Sequence, residues 1–271
     1  MQDKINLLFL GDIIGRPGRK AVMKYLPLLK KQYSPSFVLA NGENAAGGLG
    51  ITENVGRELL TDVDVLTSGN HIWDKKEALS YLQKEPKLLR PANYPRVNPG
   101  RGSGVFEDTG GQKIAVLNLQ GRVFMEAIEC PFRTADEEIE KLRAITPVIV
   151  VDFHAEATSE KQALGWYLDG RVSAVIGTHT HVITADDRIL TRGTSYITDA
   201  GMVGGYNSVI GIKKDQAIKR FLTARPQRFE PEKKGVFFSG VFIEIDATTG
   251  KSISIRREVI IEEENEERQQ S

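Results

Sequence analysis

The chain contains four histidines, His71, His154, His179 and His181, and each lies at or just beyond the end of a short apolar run of the kind that forms a buried strand. Histidines of a hydrophobic core would not be distributed that way. Asp12 follows the first such run, Asn41, Glu43 and Asn44 the second, and Asn70 the third. In open α/β sheets the loops at the carboxyl ends of the strands form the ligand crevice, so these side chains are expected on one rim. His154, His179 and His181, with Asp12, Glu43, Asn44 and Asn70, make a nitrogen and oxygen donor set without a thiolate, suited to Fe, Mn, Zn or a similar divalent ion. A mononuclear site needs far fewer ligands. His179 and His181 alternate with Thr178 and Thr180, so in an extended segment both imidazoles project the same way, about 7 Å apart, toward two neighbouring metals.

The elements that must position this rim read as alternating strand and helix patterns. Residues 5–10 are an apolar run, followed by a Gly/Pro-rich turn and a helix with Val22, Leu26 and Leu29 on one face. Residues 37–40 form a strand that enters the Gly-rich loop 41–50, and Thr52 caps a helix to about residue 60. A third strand, 63–67, ends in the polar turn 68–71, with a helix expected from about Lys75. Loop-rich sequence around Pro91, Pro95 and Pro99 leads to a hairpin of 104–107 with 113–119. Residues 134–137 have capping-box form ahead of a helix carrying Ile139 and Leu142. Strands 147–151 and 172–176 follow, with a helix opening at 159–162 between them, then a glycine-rich loop 201–211, a basic helix at 213–222 and two alternating strands around the turn 247–250. The glycine-rich turns 15–19 and 45–50 precede helices and are expected to offer backbone N–H groups to phosphate, although no Walker motif is present.

Composition sets the outer bounds. With 271 residues, 40% of them hydrophobic, the chain is long enough to close around a layered core. Lys plus Arg and Asp plus Glu each number 36, so no global basic field recruits nucleic acid. Cys130, the single cysteine, makes no internal disulfide and holds no structural zinc alone, which fits a reducing, cytoplasmic setting. The apolar run 5–10 is too short for a signal-peptide core, and no stretch approaches the roughly twenty apolar residues of a membrane span, so no membrane partner is expected. One domain is expected over residues 1–261, with an acidic polar tail at 262–271.

The ordered blocks Gly-Asp12, Asn-Gly-Glu43-Asn44, Gly-Asn70-His71, His154 and Gly-Thr-His179-Thr-His181 resemble the five-block signature of the calcineurin-like metallophosphoesterases. The closer resemblance is to the YmdB-like branch, bacterial phosphodiesterases of cyclic nucleotides, over residues 6 to about 260. Two departures from the wider superfamily stand out: Ile14 replaces a histidine in the first block, and Glu43 replaces the usual bridging Asp. The resemblance implies an α/β sandwich of two facing β-sheets flanked by helices, with a binuclear centre at the strand ends. It implies that Asp12, Glu43, Asn44 and His181 hold one ion, that Glu43, Asn70, His154 and His179 hold the other, and that Glu43 bridges. Two divalent or mixed-valence ions are implied, Fe or Mn ahead of Zn or Mg.

The implied activity is hydrolysis of a phosphodiester by a metal-bridging hydroxide, on 2′,3′-cyclic ahead of 3′,5′-cyclic nucleotides. His71 belongs to neither ligand set, which leaves it as proton donor to the leaving alkoxide or as a contact to the phosphoryl oxygen. Asp74, three residues on, either orients His71 or is simply an acid in the first turn of a helix. Tyr206, Asn207, Ser208 and Arg90 are the expected substrate contacts, although Gly205 stands where this family loop usually has Pro. A phosphatase or RNA phosphodiesterase using the same centre, and a non-enzymatic regulator that keeps the metals, remain alternatives, with RNA and a second copy of the chain as conceivable partners. A serine hydrolase is disfavoured because no Gly-x-Ser-x-Gly occurs, and a cysteine nucleophile because Cys130 precedes Pro131 with no sign of a polarising helix.

Overall fold

The computed structural model describes residues 4–263. Its first half contains β1 (Lys4–Leu10), β2 (Asp12–Ile13), α1 (Gly15–Tyr33), β3 (Phe37–Asn41), α2 (Glu53–Leu59), β4 (Val65–Thr67) and α3 (Lys76–Lys84). The hairpin β5 (Ser103–Glu107) and β6 (Lys113–Gln120) follows, then α4 (Pro131–Arg143), β7 (Ile149–His154), α5 (Thr158–Leu168) and β8 (Ala174–Thr178). Short strands β9 (Arg188–Ile189), β10 (Ser195–Ile197), β11 (Met202–Gly204), β12 (Ser208–Val209) and β13 (Ile212–Lys213) lead to α6 (Lys214–Thr223). Two long strands, β14 (Val236–Asp246) and β15 (Ser252–Glu262), complete it.

The strands build two mixed sheets and a separate two-stranded ribbon of β12 with β13. One runs β2-β11-β14-β1-β3-β4, with β15 on the other side of β14; the second runs β5-β6-β7-β8-β10-β9. In the first, β1, β3 and β4 are parallel. In the second, β6, β7, β8 and β10 are parallel. Side chains alternate between the two faces of a strand, and both sheets use both faces. Ile5, Leu7 and Phe9 of β1 join Phe37 and Leu39 of β3 against Val116, Val150 and Ile176 of the opposite sheet. The alternate residues Leu8, Leu10, Val38 and Ala40 pack outward under Val22, Leu26 and Leu29 of α1. Leu117, Val151, Phe153 and Val175 pack outward under Ile139 and Leu142 of α4 and Leu164 of α5. The result is helix, sheet, sheet, helix, which is the expected sandwich.

Local differences from the sequence reading have simple causes. Residues 15–19 are the first turn of α1 rather than a phosphate-binding loop: Pro17 sits where a helix needs no N–H, and Gly15 N–H donates to the Asn44 carbonyl at 2.9 Å. Helix α4 starts at Pro131, so Thr134 lies within its first turn and makes no capping box. Thr52 does cap α2, its hydroxyl accepting from Val55 N at 3.3 Å. Glu262 is paired in β15, and positions 264–271 of the expected tail lie outside the described residues. Among the described residues no helix is long and apolar enough to cross a membrane.

Candidate metal centre

Every expected donor stands at the carboxyl end of a strand or in the turn after it. Asp12 lies just past β1, Glu43 and Asn44 follow β3, Asn70 and His71 open a single 3-10 turn after β4, and His154 ends β7. His179 and His181 follow β8. Asp12, Glu43 and His154 are fully buried, and Asn44 nearly so. Glu43, His154 and His179 each offer a ligand atom within 4.8 Å of the others. His154 Nε2 is the focus: Glu43 Oε1 lies 3.1 Å from it, Asn70 Oδ1 3.2 Å and His179 Nδ1 3.0 Å. The second grouping is looser, with Asn44 Nδ2 3.0 Å from Glu43 Oε1 and 3.3 Å from His181 Nε2, and Asp12 Oδ1 3.8 Å from His181 Nε2.

All three imidazoles of this group have their outer nitrogen engaged. His154 Nδ1 meets the Thr178 hydroxyl at 2.9 Å, and that hydroxyl donates to buried Asp152 at 2.7 Å. His179 Nε2 pairs with Glu156 at 3.1 Å, and His181 Nδ1–H donates to the Ile210 carbonyl at 2.9 Å. Partners of this kind fix the tautomer and turn the remaining ring nitrogen inward, the usual arrangement around metal-binding histidines.

The reason His179 and His181 converge differs from the alternation expected in sequence. Neither is extended: their φ angles are +100° and +63°. Positive φ in non-glycine residues is strained, by about 1–3 kcal/mol each, and persists where surrounding structure enforces it. Here His179 N donates to Asp12 Oδ2 at 3.1 Å and Thr180 N to Asp199 Oδ2 at 3.0 Å. Lys161, buried beneath the turn, donates to Thr178 O and to Asp199 Oδ2, both at 2.7 Å.

The electrostatics favour a cation. Burial opposes the Glu43 charge, but His154 beside it and the His71 backbone N–H hold its pKa at about 2. Burial would likewise strip the His154 proton, yet the Glu43 and Asp12 carboxylates raise that pKa to about 9. Burial, reinforced by His154, holds His179 down at about 3. Burial also raises Asp12, and lifts Asp152 to about 7. Asp12 Oδ1 and Asn44 Oδ1 are buried and have no hydrogen-bond donor among the described residues. Buried acceptors without donors are costly, and Asp12 Oδ1, 3.8 Å from the inward-turned His181 Nε2, fits the ligand demands of a divalent ion.

His71 lines a cavity of about 710 Å³ together with Glu43, Asn44, His179 and His181. Its Nδ1 is 2.8 Å from Asp74 Oδ2 and its backbone N donates to Glu43 Oε2 at 3.1 Å, so Asp74 does orient the ring. The expected substrate contacts are elsewhere. Arg90 is buried, donates to Pro99 O and Pro91 O, and borders a different cavity. Tyr206 stacks on Phe237 with ring centroids 6.3 Å apart, Asn207 borders a third, charged hollow, and the Ser208 hydroxyl closes a turn onto Gly205 O. Local packing and backbone satisfaction take up Arg90, Tyr206 and Ser208, which a loop motif does not reveal, while Asn207 is exposed.

The sequence pattern described as YmdB-like protein matches residues 8–258, most of the chain. The chain belongs to the YmdB-like family. This YmdB-like chain is 50% identical over 257 residues to a Bacillus subtilis protein called 2′,3′-cyclic-nucleotide 2′-phosphodiesterase, covering 94% of the chain and 97% of that protein. A hypothetical protein from Thermus thermophilus has a similar crystal structure, with TM-score 0.89 and 41% identity, covering 95% of this chain and 100% of that one. A novel phosphatase from Mycoplasma pneumoniae gives TM-score 0.92 at 38% identity, covering 98% and 96%. Residues that sequence reading passed over in this YmdB-like site are Glu156, Lys161 and Asp199. Asp152 was visible as a polar break in an apolar run, but a lysine buried in α5 leaves no trace in the sequence.

Proposed function

We propose that this chain is a metal-dependent phosphodiesterase that opens 2′,3′-cyclic nucleotides, and that it does so as one domain spanning residues 1–261 in a reducing cytoplasm. The observation that carries the reading is that Glu43 and His179, which gather around His154 Nε2, line one cavity with His71, whose ring Asp74 holds. The name of the Bacillus subtilis relative supports the choice of diester.

Asp12, Glu43, Asn44 and His181 would hold one ion and Glu43, Asn70, His154 and His179 the other, with Fe or Mn best suited to the mixed donors. Such ions, when bound, activate water and neutralise the phosphoryl oxygens during in-line displacement. The chain's own residues do the rest. His71 Nδ1 is held by Asp74, which leaves Nε2 as the nitrogen that gives a proton to the departing ribose oxygen. In the reaction the oxygen of water bonds to phosphorus and gives up one proton to solvent, the bond from phosphorus to O2′ breaks, and O2′ leaves with the His71 proton, which solvent then replaces. Glu43 accepts the His71 N–H, so the residue proposed to bridge the ions also fixes the start of the turn that carries the acid.

The test is turnover of 2′,3′- and 3′,5′-cyclic nucleotides and of bis-nitrophenyl and mononitrophenyl phosphate by protein stripped of metal and reloaded with Mn or Fe. The expected result is metal-dependent hydrolysis of the diesters, fastest on the 2′,3′-cyclic substrate. Hydrolysis of the monoester alone overturns the reading.

A further inference from the structure

The cavity lined by Glu43, Asn44, His71, His179 and His181 has a second wall that the phosphoryl chemistry does not use. Ile210 and Ile212, Phe221 of α6, Phe229 beyond it, and Leu49 from the loop after β3 face the same space of about 710 Å³ as Glu43, Asn44 and His71. Phe221 is 83% exposed, and Leu49, Ile210 and Phe229 are each between 41% and 48% exposed, so four large apolar side chains stay wet around one opening. Isolated exposed apolar groups need no explanation, whereas a set converging on one cavity marks a binding surface. The wall is tied to the cluster through one residue: the Ile210 carbonyl accepts the His181 Nδ1–H at 2.9 Å while the Ile210 side chain faces the cavity.

We infer that this wall is the nucleobase site, with Phe221 and Phe229 as its aromatic surface; the inference rests on the cyclic-nucleotide reading above and deepens it. The volume lies within the roughly 300–1,000 Å³ typical of small-ligand sites, with room for a base as well as the ribose phosphate. Flat aromatic and aliphatic surface recognises the π-face of a base and is tolerant of which base it is. Arg220, the one Lys or Arg among the lining residues, has no ion pair or side-chain hydrogen bond among the described residues, and its guanidinium is able to stack on a base or to donate to its edge. The site therefore selects for the presence of a base rather than its identity. Wet phenylalanine on a surface helix also makes the test clean, because truncating Phe221 leaves no cavity in the core.

The experiment compares adenosine 2′,3′-cyclic phosphate with methyl β-ribofuranoside 2′,3′-cyclic phosphate, which has the same diester and no base, on the metal-loaded wild type and on Phe221→Ala and Phe229→Ala. The wild type is expected to favour the nucleotide in kcat/KM. Each variant raises KM for the nucleotide by about five- to a hundredfold, the range of base stacking on one aromatic ring, and the preference for the nucleotide collapses. Equal wild-type activity on both substrates overturns the nucleobase site and leaves the phosphodiesterase reading standing. A wild type that hydrolyses bis-nitrophenyl phosphate but neither ribose diester overturns both. Size-exclusion chromatography covers the remaining occupant: a dimer that dissociates in Phe221→Ala with the substrate preference intact shows that the wall is an interface between copies, and this too overturns the inference.

Discussion

His154 and His179 face each other through ring nitrogens, Nε2 of the first 3.0 Å from Nδ1 of the second, with their rings at 73°. Their basicities are driven apart, His154 to about 9 and His179 to about 3. Burial acts against the charge of both; His154 is offset by the buried Glu43 carboxylate at 3.1 Å, whereas the carboxylate at 3.1 Å from His179 is the half-exposed Glu156, and the charge of His154 pushes His179 further down. Two imidazolium charges at this separation repel, so the two rings do not both carry the additional proton, and the contact leaves a ring nitrogen free to serve as a metal ligand.

Glu43 is expected to be the least replaceable ligand. A carboxylate between two cations binds both and screens their repulsion, which the isosteric amide of Glu43→Gln does not. Elemental analysis of the purified variant should show at least one metal lost per chain, and full occupancy would contradict the bridging role.

His71→Ala is expected to keep its metals and to lose about 10²–10⁴ in rate on a cyclic nucleotide, whose ribose alkoxide leaves poorly without a proton. Bis-nitrophenyl phosphate, with a good leaving group, should suffer far less. Asp74→Asn should give a weaker form of the same selective loss. An equal loss on both substrates would make His71 a phosphoryl contact instead.

Gly69 marks the closest approach of backbone to the cluster, since a Cβ there would overlap the His154 imidazole. Gly69→Ala should displace that ring and empty the tighter ligand group, while the exterior cores stay intact. Far-ultraviolet circular dichroism unchanged from wild type, alongside reduced metal content, is the expected pair of results; unchanged metal content would count against it.

Lys161 and Asp199 form an ion pair at 2.7 Å with both side chains essentially inaccessible. Removing one partner strands the other charge, so Lys161→Met should cost about 3–5 kcal/mol in urea unfolding. Lys161→Met combined with Asp199→Asn should recover part of that loss, because neither remaining group then needs a counter-charge. A single variant as stable as wild type would refute the claim.

Asp186 supplies a pH dependence away from the cluster. Burial opposes its charge, but the Thr184 and Thr198 hydroxyls hold its pKa below the usual carboxylate value. A folded pKa below the unfolded one gives stability that is present above about pH 4 and lost as the pH falls through the folded value. The stability difference between wild type and Asp186→Asn should therefore shrink on acidification below about pH 4, as read from thermal unfolding across pH 3–7.

The strand ends, and with them the candidate donors, were legible in the amino-acid sequence. Apolar runs that stop at Asp12, Asn41, Asn70 and His154 are local patterns, and in parallel sheets the residue after such a run must lie on the ligand rim. The sandwich was implied by the family resemblance, and the structure supplies its physical basis: β1 carries apolar side chains on both faces and so needs a layer on each side. Whatever depends on contacts between distant segments was not legible in the sequence. The turn that aims His179 and His181 is held by Asp12, Asp199 and buried Lys161, and its positive φ angles contradict the extended geometry that Thr-His-Thr-His suggests. Tyr206 and Arg90 were plausible ligand contacts until packing on Phe237 and hydrogen bonds to proline carbonyls claimed them. The apolar wall was invisible for the same reason: Leu49, Ile210, Phe221 and Phe229 meet only when the loop after β3 comes against α6. Periodicity records which face of an element is apolar, whereas the partner of that face is chosen by how the layers close.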